Sequence, residues 1–497
     1  MKHLKPQPEP PVMRAVALAF VVIAFALLVL PLAGMPFARD GSMADAEKRE
    51  EAALPSIVVD GKPNMAFFSE LDAWYNDHFA FRALLVDADA SLREALFMES
   101  SVDNVVVGSD GWLYYHGTMA DYQRTAPMTN RALDNAACNI ALMQENAERL
   151  GLGFVFTIAP NKNTLYPEHM PYFEAAGAGP SNAERIEPFL ESYGVNYLNL
   201  FDVLEGEGRE LYLHGDSHWT NEGALVAARA LADVLGHDLG EYEQTAPETD
   251  PHVGDLDEML HPLSVEAEQQ PLWPQSLEFS YTNDATGVED GSIECASTRL
   301  EAAGRLVCYR DSFGNALLPY LASAYETSSF SKMVPYDMHP ALLVGADDVV
   351  VERAERHLPF FATTPPYMPA PERQLEGGLS SATTSTTCFT EQNDPYLVVE
   401  GTLDADYVGI GDSVYVALSG DGGYRCFEAF RISAASDQVS DAEGEAAADE
   451  HIVGDYGYRA YVALNKVPGG EGVAVAIIVC SEDGCITLYE GQLPTKG

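Results

Sequence analysis

Positively charged residues are scarce in this sequence of 497 residues. It has 28 lysines and arginines against 76 aspartates and glutamates, so the formal net charge at pH 7 is −48. Such a surface repels nucleic acid and anionic lipid headgroups, and it keeps a protein soluble. The acidic residues are scattered along the chain. This distribution favours a proteome that is acidic throughout, as an adaptation to its medium, over binding of one specific cationic partner. We therefore expect no nucleic-acid partner.

Cysteine is also sparse. The chain has seven cysteines, without a C-x-x-C motif or the cysteine and histidine spacing of a zinc site. Cys480 and Cys485 flank the turn-like SEDG and are expected to close a small disulfide loop, which fits an exported protein. The other candidates are Cys295 with Cys308 as a second pair, Cys388 with Cys426 as a weaker one, and Cys138 as a buried free thiol.

A long uncharged apolar run lies near the N-terminus, between Arg14 and Arg39. About 20 residues of helix span the roughly 30 Å hydrocarbon core of a bilayer. Lys2, Lys5 and Arg14 precede the run and acidic residues follow it, which places the N-terminus in the cytoplasm. The run is longer than a signal-peptide core and lacks a clear A-x-A site, so we favour an uncleaved transmembrane anchor over a cleaved signal peptide. The expected location is the cell membrane, with the bulk of the chain extracellular.

The middle of the chain alternates between helical and strand patterns. An amphipathic helix at 131–150 precedes the buried strand GFVFTIAP, and a helix at 181–193 precedes NYLNLFDVL. RLVCYRDSFGNALLPYLASAY then reads as strand, sharp turn and helix. This order predicts an α/β fold with a parallel sheet and helices on both of its faces.

Composition divides the chain into five segments. Residues 361–388 are rich in Pro, Thr, Ser and Gly and predict a linker, and the short alternating runs beyond it predict an all-β, sandwich-like domain. The expected segments are 1–38 for the cytoplasmic N-terminus and anchor, 39–63 for a tether, 64–360 for the α/β domain, 361–388 for the linker and 389–497 for the β-rich accessory domain.

Three serines follow an aspartate in a way that is typical of hydrolase nucleophiles. Ser413 lies in an alternating strand of the β-rich segment, which favours a structural role. Ser312 lies on the predicted strand-to-helix turn, at the sheet edge where α/β proteins place reactive groups. The helix start offers unpaired backbone N–H groups for an oxyanion. The alternative is that Asp311 and Ser312 only cap the helix.

The third serine lies in HGDSHWT. In an extended segment Asp216 and His218 point to the same side, so the carboxylate can orient the imidazole as a base, whereas Ser217 points away. We therefore expect Asp216 and His218 to serve Ser312. Two alternatives stay open: a metal site formed by His214, Asp216 and His218, and a structural turn in which Asp216 caps the following helix.

Six motifs occur in an order that resembles a known family. They are HFAFR at 78–82, DGWLYY at 110–115, APNKNTLYPE at 159–168, DSHWT at 216–220, GDLDEML at 254–260 and RDSFGNALLPYL at 310–321. This order is similar to that of the AlgX/AlgJ-like SGNH proteins and their DHHW relatives. The resemblance covers about residues 64–360 and implies a flavodoxin-like SGNH fold, circularly permuted so that the Asp-x-His pair precedes the serine.

The resemblance also implies a set of site residues. The catalytic triad would be Ser312, His218 and Asp216. Two positions depart from the family pattern: Arg310 replaces a common glycine and would change the turn or bring a cation to the oxyanion, and Ser217 replaces the first histidine of DHHW. The matching segments add weaker candidates for substrate or oxyanion contacts, which serve turn chemistry equally well: Asn161, Lys162 and Asn315.

The resulting functional hypothesis is a membrane-anchored extracellular O-acetyltransferase that acts on polysaccharide through an acyl-enzyme, without cofactor or metal. The family resemblance implies a membrane-embedded acyltransferase of the MBOAT type as the partner that supplies the acyl group. One alternative is a carbohydrate acetyl-esterase with the same triad. The other is a polysaccharide-binding or scaffold protein that does not catalyse a reaction.

Overall fold

The structure is a computed structural model that describes residues 11–35, 52–59, 61–240, 242, 247–265, 267–375, 379–421, 423–434, 452–470 and 472–493. The expected cytoplasmic residues 1–10 and tether residues 39–51 lie outside the described residues. The described α-helices are α1 Pro11–Gly34, α2 Phe67–His78, α3 Arg82–Phe97, α4 Met119–Tyr122, α5 Asn130–Arg149, α6 Lys162–Leu165, α7 Asn182–Ser192, α8 Leu200–Gly206, α9 Asn221–Leu235, α10 Asp255–Leu260, α11 Gly314–Ala324, α12 Pro340–Leu343 and α13 Phe360–Thr363.

The strands of the described residues are short for the most part. They are β1 Val58–Val59, β2 Lys62–Pro63, β3 Val105–Val107, β4 Leu113–Tyr115, β5 Gly153–Ala159, β6 Tyr197–Leu198, β7 Glu248–Val253, β8 Ala267–Leu272, β9 Phe279–Tyr281, β10 Ser292–Ser297, β11 Arg305–Tyr309, β12 Thr327–Ser331, β13 Asp348–Ala354, β14 Glu372–Arg373, β15 Leu379–Ser381, β16 Phe389–Asn393, β17 Tyr396–Thr402, β18 Ser413–Gly420, β19 Gly423–Glu428, β20 Phe430–Ile432, β21 Gly457–Ala463, β22 Ala474–Ser481 and β23 Gly484–Gln492. The chain divides into two compact units, the first formed by residues 1–116, 214–216 and 253–268, the second by the rest.

The first unit is organised around the hairpin of β3 and β4. Its turn contains Asp110 and Gly111 with φ of 59° and 81°, a left-handed conformation that glycine adopts without steric cost. The buried apolar residues of this unit include Val105, Val107, Leu113, Leu256 and Leu260. The hairpin therefore packs its apolar side chains against α10.

A mixed sheet forms the centre of the second unit. The strand order among the described residues is β6, β5, β13, β11, β12, β10, β9. The first five strands are parallel, whereas β10 is antiparallel to both β12 and β9. The α/β prediction is confirmed, but the prediction of a purely parallel sheet is wrong at this edge. Only residues 282–291 join β9 to β10, which is a hairpin connection and not a helical crossover.

Helices cover both faces of this sheet, as predicted. Phe154, Phe156 and Ile158 of β5 share a buried core with residues of α5. Successive side chains of a strand point to opposite faces. A Cβ added at Gly153 would lie 3.3 Å from a methyl carbon of Leu235 in α9, so α9 packs on the other face.

The C-terminal part is β-rich, which confirms that prediction. One sheet has the order β14, β19, β18, β22, β23, β15, and a second has the order β16, β17, β21, β20. Both contribute to one buried core, for example Val416 and Ile477 from the first sheet and Val399 and Val462 from the second. The domain boundaries at 64, 360 and 388 stay predictions.

The N-terminal apolar run forms the helix α1. Among the described residues, however, no helix combines the length and the apolarity that crossing a membrane demands. The predicted transmembrane helix is therefore not supported.

The cysteine predictions are confirmed in part. Cys480 and Cys485 form a disulfide, and Cys138 is a buried free thiol. The two other predicted pairs are wrong, because all four of those cysteines are free. For Cys295 and Cys308 the reason is topological: β10 and β11 both pair with β12, which places them two strand spacings apart, about 10 Å.

Candidate active site

Ser312 lies at the end of the central strand β11, as predicted. The strand ends at Tyr309, α11 begins at Gly314, and Ser312 is 8% exposed on the turn between them. A Cβ at position 314 would lie 2.6 Å from the Cβ of Arg310, so glycine allows this close approach. The sequence therefore builds a sharp turn that presents the serine at the carboxyl edge of the parallel strands.

His218 lies in a loop whose two ends pair with each other. Tyr212 and Trp219 form an antiparallel bridge, and the backbone N–H of Leu213 donates to the carbonyl oxygen of His218 at 3.2 Å. Immediately afterwards the Thr220 hydroxyl accepts a hydrogen bond from the N–H of Gly223 and caps α9. Local backbone bonds therefore fix the position of the imidazole.

The two residues meet at hydrogen-bond distance. The Nε2 atom of His218 is 2.9 Å from the Oγ atom of Ser312. The neighbouring residues meet as well: the indole N–H of Trp219 donates to the carbonyl oxygen of Phe313 at 3.2 Å. A serine hydroxyl beside an imidazole nitrogen can be activated for nucleophilic attack, because the imidazole accepts its proton.

The surroundings of the other imidazole nitrogen differ from the prediction. The hydroxyl oxygen of Ser217 is 3.2 Å from Nδ1 of His218, so the prediction that Ser217 faces away is wrong. The reason is that the segment bends, and the alternation of an extended strand does not apply. Asp216 is buried, and its Oδ2 accepts a hydrogen bond from the N–H of Asp255 at 3.1 Å. Its role as the third member of a triad stays a prediction.

Arg310 and Asn315 bind each other next to the nucleophile turn. The Arg310 guanidinium is buried and donates to Oδ1 of Asn315, and to the carbonyl oxygens of Val288 and Asp290 at 2.7 and 3.2 Å. Burial lowers the pKa of Arg310. These bonds connect residues 288–290 to the start of α11, so the arginine at this position serves the turn through hydrogen bonds.

Asn161 and Lys162 are buried just beyond the end of β5. The Asn161 backbone N–H donates to Oε2 of Glu355 at 2.9 Å, and its side-chain amide to Oδ2 of Asp121 at 3.4 Å. Burial raises the pKa of Asp121 to about 6 and that of Glu355 to about 7, and the charge of Asp121 adds to the rise at Glu355. Substrate or oxyanion roles for Asn161 and Lys162 stay predictions.

The residues that the structure brings together as possible metal ligands differ from the predicted set of His214, Asp216 and His218. His214 packs against Trp112 with ring centroids 4.6 Å apart and the ring planes tilted by 30°. The carboxylates that could approach a cation belong to Asp216 and Asp255, with oxygens within 4.8 Å of one another.

Two buried residues near the nucleophile did not stand out in the sequence. Asp311 precedes Ser312, and its carboxylate accepts a hydrogen bond from Nδ1 of His357 at 3.1 Å. The sequence around Asp311 indicates only a helix-capping role, and His357 lies 46 residues further along the chain. The ERH tripeptide directly after a buried strand is the signal that could have drawn attention to His357.

Comparison with known proteins supports the predicted resemblance. A family described as SGNH hydrolase-like domain, acetyltransferase AlgX, matches residues 105–293. The probable alginate O-acetylase AlgJ of Pseudomonas syringae pv. tomato is 32% identical over 216 residues, which is 41% of this chain and 52% of that protein. AlgJ of Pseudomonas aeruginosa is 26% identical over 279 residues, 54% of this chain and 66% of that protein.

The solved structures that are similar to this chain include the O-acetyltransferase domain of Pseudomonas putida AlgJ. The sequence identity is 19% and the TM-score is 0.36, and the match covers 52% of this chain and 92% of that one. The chain spans about half the length of the first curated relatives it matches. The family match identifies the class to which this part of the chain is similar: residues 105–293 resemble an SGNH hydrolase-like domain. Within that class the similarity is to AlgX and AlgJ proteins, as the motifs predicted.

Proposed function

We propose that the protein is an O-acetyltransferase that acetylates hydroxyl groups of a polysaccharide, with Ser312 as nucleophile and His218 as base. The observation that carries this proposal is the 2.9 Å distance between Nε2 of His218 and Oγ of Ser312. The similarity to proteins named probable alginate O-acetylases supports acetyl as the group that is transferred. No cofactor is needed for this chemistry.

The first half-reaction forms an acetyl-enzyme. His218 accepts the hydroxyl proton of Ser312 at Nε2 while Oγ attacks the carbonyl carbon of the acetyl donor. The tetrahedral intermediate collapses, its bond to the leaving group breaks, and His218 returns the proton to that group. For Nε2 to accept a proton, Nδ1 of His218 must carry one, and an acceptor close to Nδ1 stabilises the imidazolium. We assign this role to Asp216, with the Ser217 hydroxyl 3.2 Å from Nδ1 as a further contributor.

In the second half-reaction a sugar hydroxyl replaces the donor. His218 accepts its proton, the sugar oxygen attacks the acetyl carbon, and Ser312 leaves and regains a proton. If water attacks instead, the same site is a carbohydrate acetyl-esterase. Transfer therefore requires that the glycan reaches the acetyl-enzyme before water does.

We also propose that the reaction takes place outside the cytoplasmic membrane. The disulfide between Cys480 and Cys485 supports this location, because disulfides persist in oxidising compartments. Attachment to the membrane through α1 is part of the proposal, supported by the exposed side chains of Val16, Leu18 and Phe20. A membrane-embedded acyltransferase of the MBOAT type is the proposed donor. Cell fractionation and co-purification from membranes test location and partner.

The decisive experiment compares the wild-type protein with Ser312→Ala in the presence of an acetyl-ester reporter and a glycan oligomer. We expect a mass increase of one acetyl group on the wild-type protein, and acetylated glycan as product, with neither for the variant. Release of acetate without glycan product would identify the esterase. If neither protein reacts and both bind the glycan equally, the non-catalytic scaffold is the correct alternative.

A further inference from the structure

We propose that the buried pair of Asp311 and His357 positions the nucleophile, an inference that rests on the proposed role of Ser312. Asp311 is 2% exposed and His357 is 4% exposed. The imidazole Nδ1–H of His357 donates to Oδ2 of Asp311 at 3.1 Å. This second acid–histidine pair lies one residue from the serine and is separate from His218.

The carboxylate of Asp311 fixes the backbone on both sides of Ser312. Its Oδ1 accepts a hydrogen bond from the N–H of Phe313 at 3.0 Å, which closes a side-chain turn around the serine. Its Oδ2 also accepts from the N–H of Ala354 at 2.7 Å, at the end of the neighbouring strand β13. One carboxylate therefore connects the ends of β11 and β13 to the nucleophile turn.

Positively charged neighbours keep the Asp311 carboxylate ionised, and in this form it accepts hydrogen bonds. Burial opposes ionisation of Asp311, but the hydrogen bond and charge of His357, with the charges of Arg356 and Arg353, hold its pKa below the usual range. A further charged neighbour is Glu352, whose Oε2 accepts from the Asp311 N–H at 3.3 Å. Burial and the nearby charge of Asp311 raise the pKa of Glu352 well above its ordinary value, so the negative charge resides on Asp311.

His357 acts through Asp311 and not on the substrate. Without its N–H donor the carboxylate loses one of its accepted bonds, and the turn that holds Ser312 opposite His218 loosens. A displacement of the serine by about 1 Å lowers the rate of a positioned reaction by up to about a hundredfold. Binding of the substrate does not depend on this pair, so the effect falls on kcat and not on KM.

The test uses two substitutions at one position in the full-length protein. His357→Leu removes the donor, whereas His357→Gln keeps an N–H that can reach Asp311. We expect the leucine variant to acetylate Ser312 at least about tenfold more slowly with KM unchanged, and the glutamine variant to recover most of the rate. The pH dependence of the rate should be the same in all three proteins, because His218 stays the base.

Different results separate the possible failures. If wild-type protein forms no acetyl-enzyme, the proposed function fails and not the positioning role alone. If wild type reacts and the folded leucine variant reacts equally fast, the positioning role is overturned. A change in the pH profile of the glutamine variant would instead make His357 a base. If the leucine variant does not fold, Asp311→Asn is measured in its place. An unchanged kcat in the folded asparagine variant would overturn the proposal. A reduced kcat with an unchanged KM would support it.

Discussion

The indole N–H of Trp219 donates a hydrogen bond to the carbonyl oxygen of Phe313 at 3.2 Å, so the residues that follow the base and the nucleophile bind each other. Both side chains are fully buried, and their rings meet edge to face with centroids 5.0 Å apart. This contact and the bond between His218 and Ser312 join the same two chain segments, which are 94 residues apart in sequence.

We predict that Trp219→Phe weakens both stability and catalysis. The substitution leaves the buried carbonyl of Phe313 without this donor, at a cost of about 1–3 kcal/mol in the free energy of unfolding. Hydrolysis of an acetyl-ester reporter should slow by about tenfold because the two segments lose a fixed contact. Urea denaturation and reporter kinetics measure the two effects. A variant with unchanged kcat and stability would show that the contact has no role.

A second prediction concerns which group orients His218. If Asp216 is the acid of the triad, Asp216→Asn should lower kcat by at least about a thousandfold, as loss of the acid does in serine hydrolases. Ser217→Ala removes only a neutral hydroxyl 3.2 Å from Nδ1 and should cost less than about tenfold. Reporter kinetics of both variants decide the order. The reverse order would make Ser217 the orienting group.

The pairing of the two main site residues is more predictable from the sequence than the hydrogen bonds around them. Ser312 and His218 could be paired from sequence because parallel strands end at one edge, so a turn after β11 is close to loops that follow other strands. The position of Ser217 could not be predicted. The alternation rule assumes an extended chain, whereas Leu213 and His218 are hydrogen-bonded to each other across a bent loop.

Long-range contacts account for other features that the sequence does not indicate. The burial of Arg310 depends on carbonyl groups at Val288 and Asp290, about 20 residues earlier, and no local pattern indicates such partners. The antiparallel strands β9 and β10 carry polar residues and follow a segment with few strand signals, so only the pairing of β10 with β12 and of β9 with β10 reveals them. Strand formation there is set by tertiary contacts more than by propensity.

The third prediction is a dependence of stability on pH that originates at Glu355. Burial raises the pKa of this carboxyl from 4.5 to about 7. Since the folded chain binds the proton more tightly, the stabilising contribution is complete below about pH 4.5 and is lost as the pH rises through about 7. Glu355→Gln removes this titration but keeps an oxygen that can accept from Asn161 and Thr164.

Between pH 4.5 and 8, wild type should therefore lose on the order of 3 kcal/mol relative to Glu355→Gln. Urea denaturation at several pH values measures the difference between the two free energies of unfolding. The exposed Glu168, changed to Gln, is the matched control and should give a curve parallel to that of wild type. Parallel curves for Glu355→Gln as well would contradict the raised pKa.

The last prediction is that the acceptor is a neutral glycan rather than a polyuronate. The net charge of −48 repels polyanions, and the basic groups beside the nucleophile turn are already engaged. Lys332 pairs with Glu289 at 3.2 Å, and Arg310 is buried with its hydrogen bonds directed to protein oxygens. Burial opposes the charge of Glu289, yet Lys332, Asn315 and His218 lower its pKa, so Glu289 stays ionised. Its negative charge repels an anionic acceptor from the site of transfer.

Acetyl transfer to neutral and uronate oligomers of equal length measures this preference. At low salt we expect the neutral oligomer to react at least about fivefold faster, and the difference to shrink as salt screens the repulsion. Glu289→Gln should reduce the difference in rate between the two oligomers, while Glu301→Gln at another exposed position should not. Equal or faster transfer to the uronate at low salt would mean that the field of the acidic surface does not reach the acceptor site, and that local hydrogen bonds select the sugar.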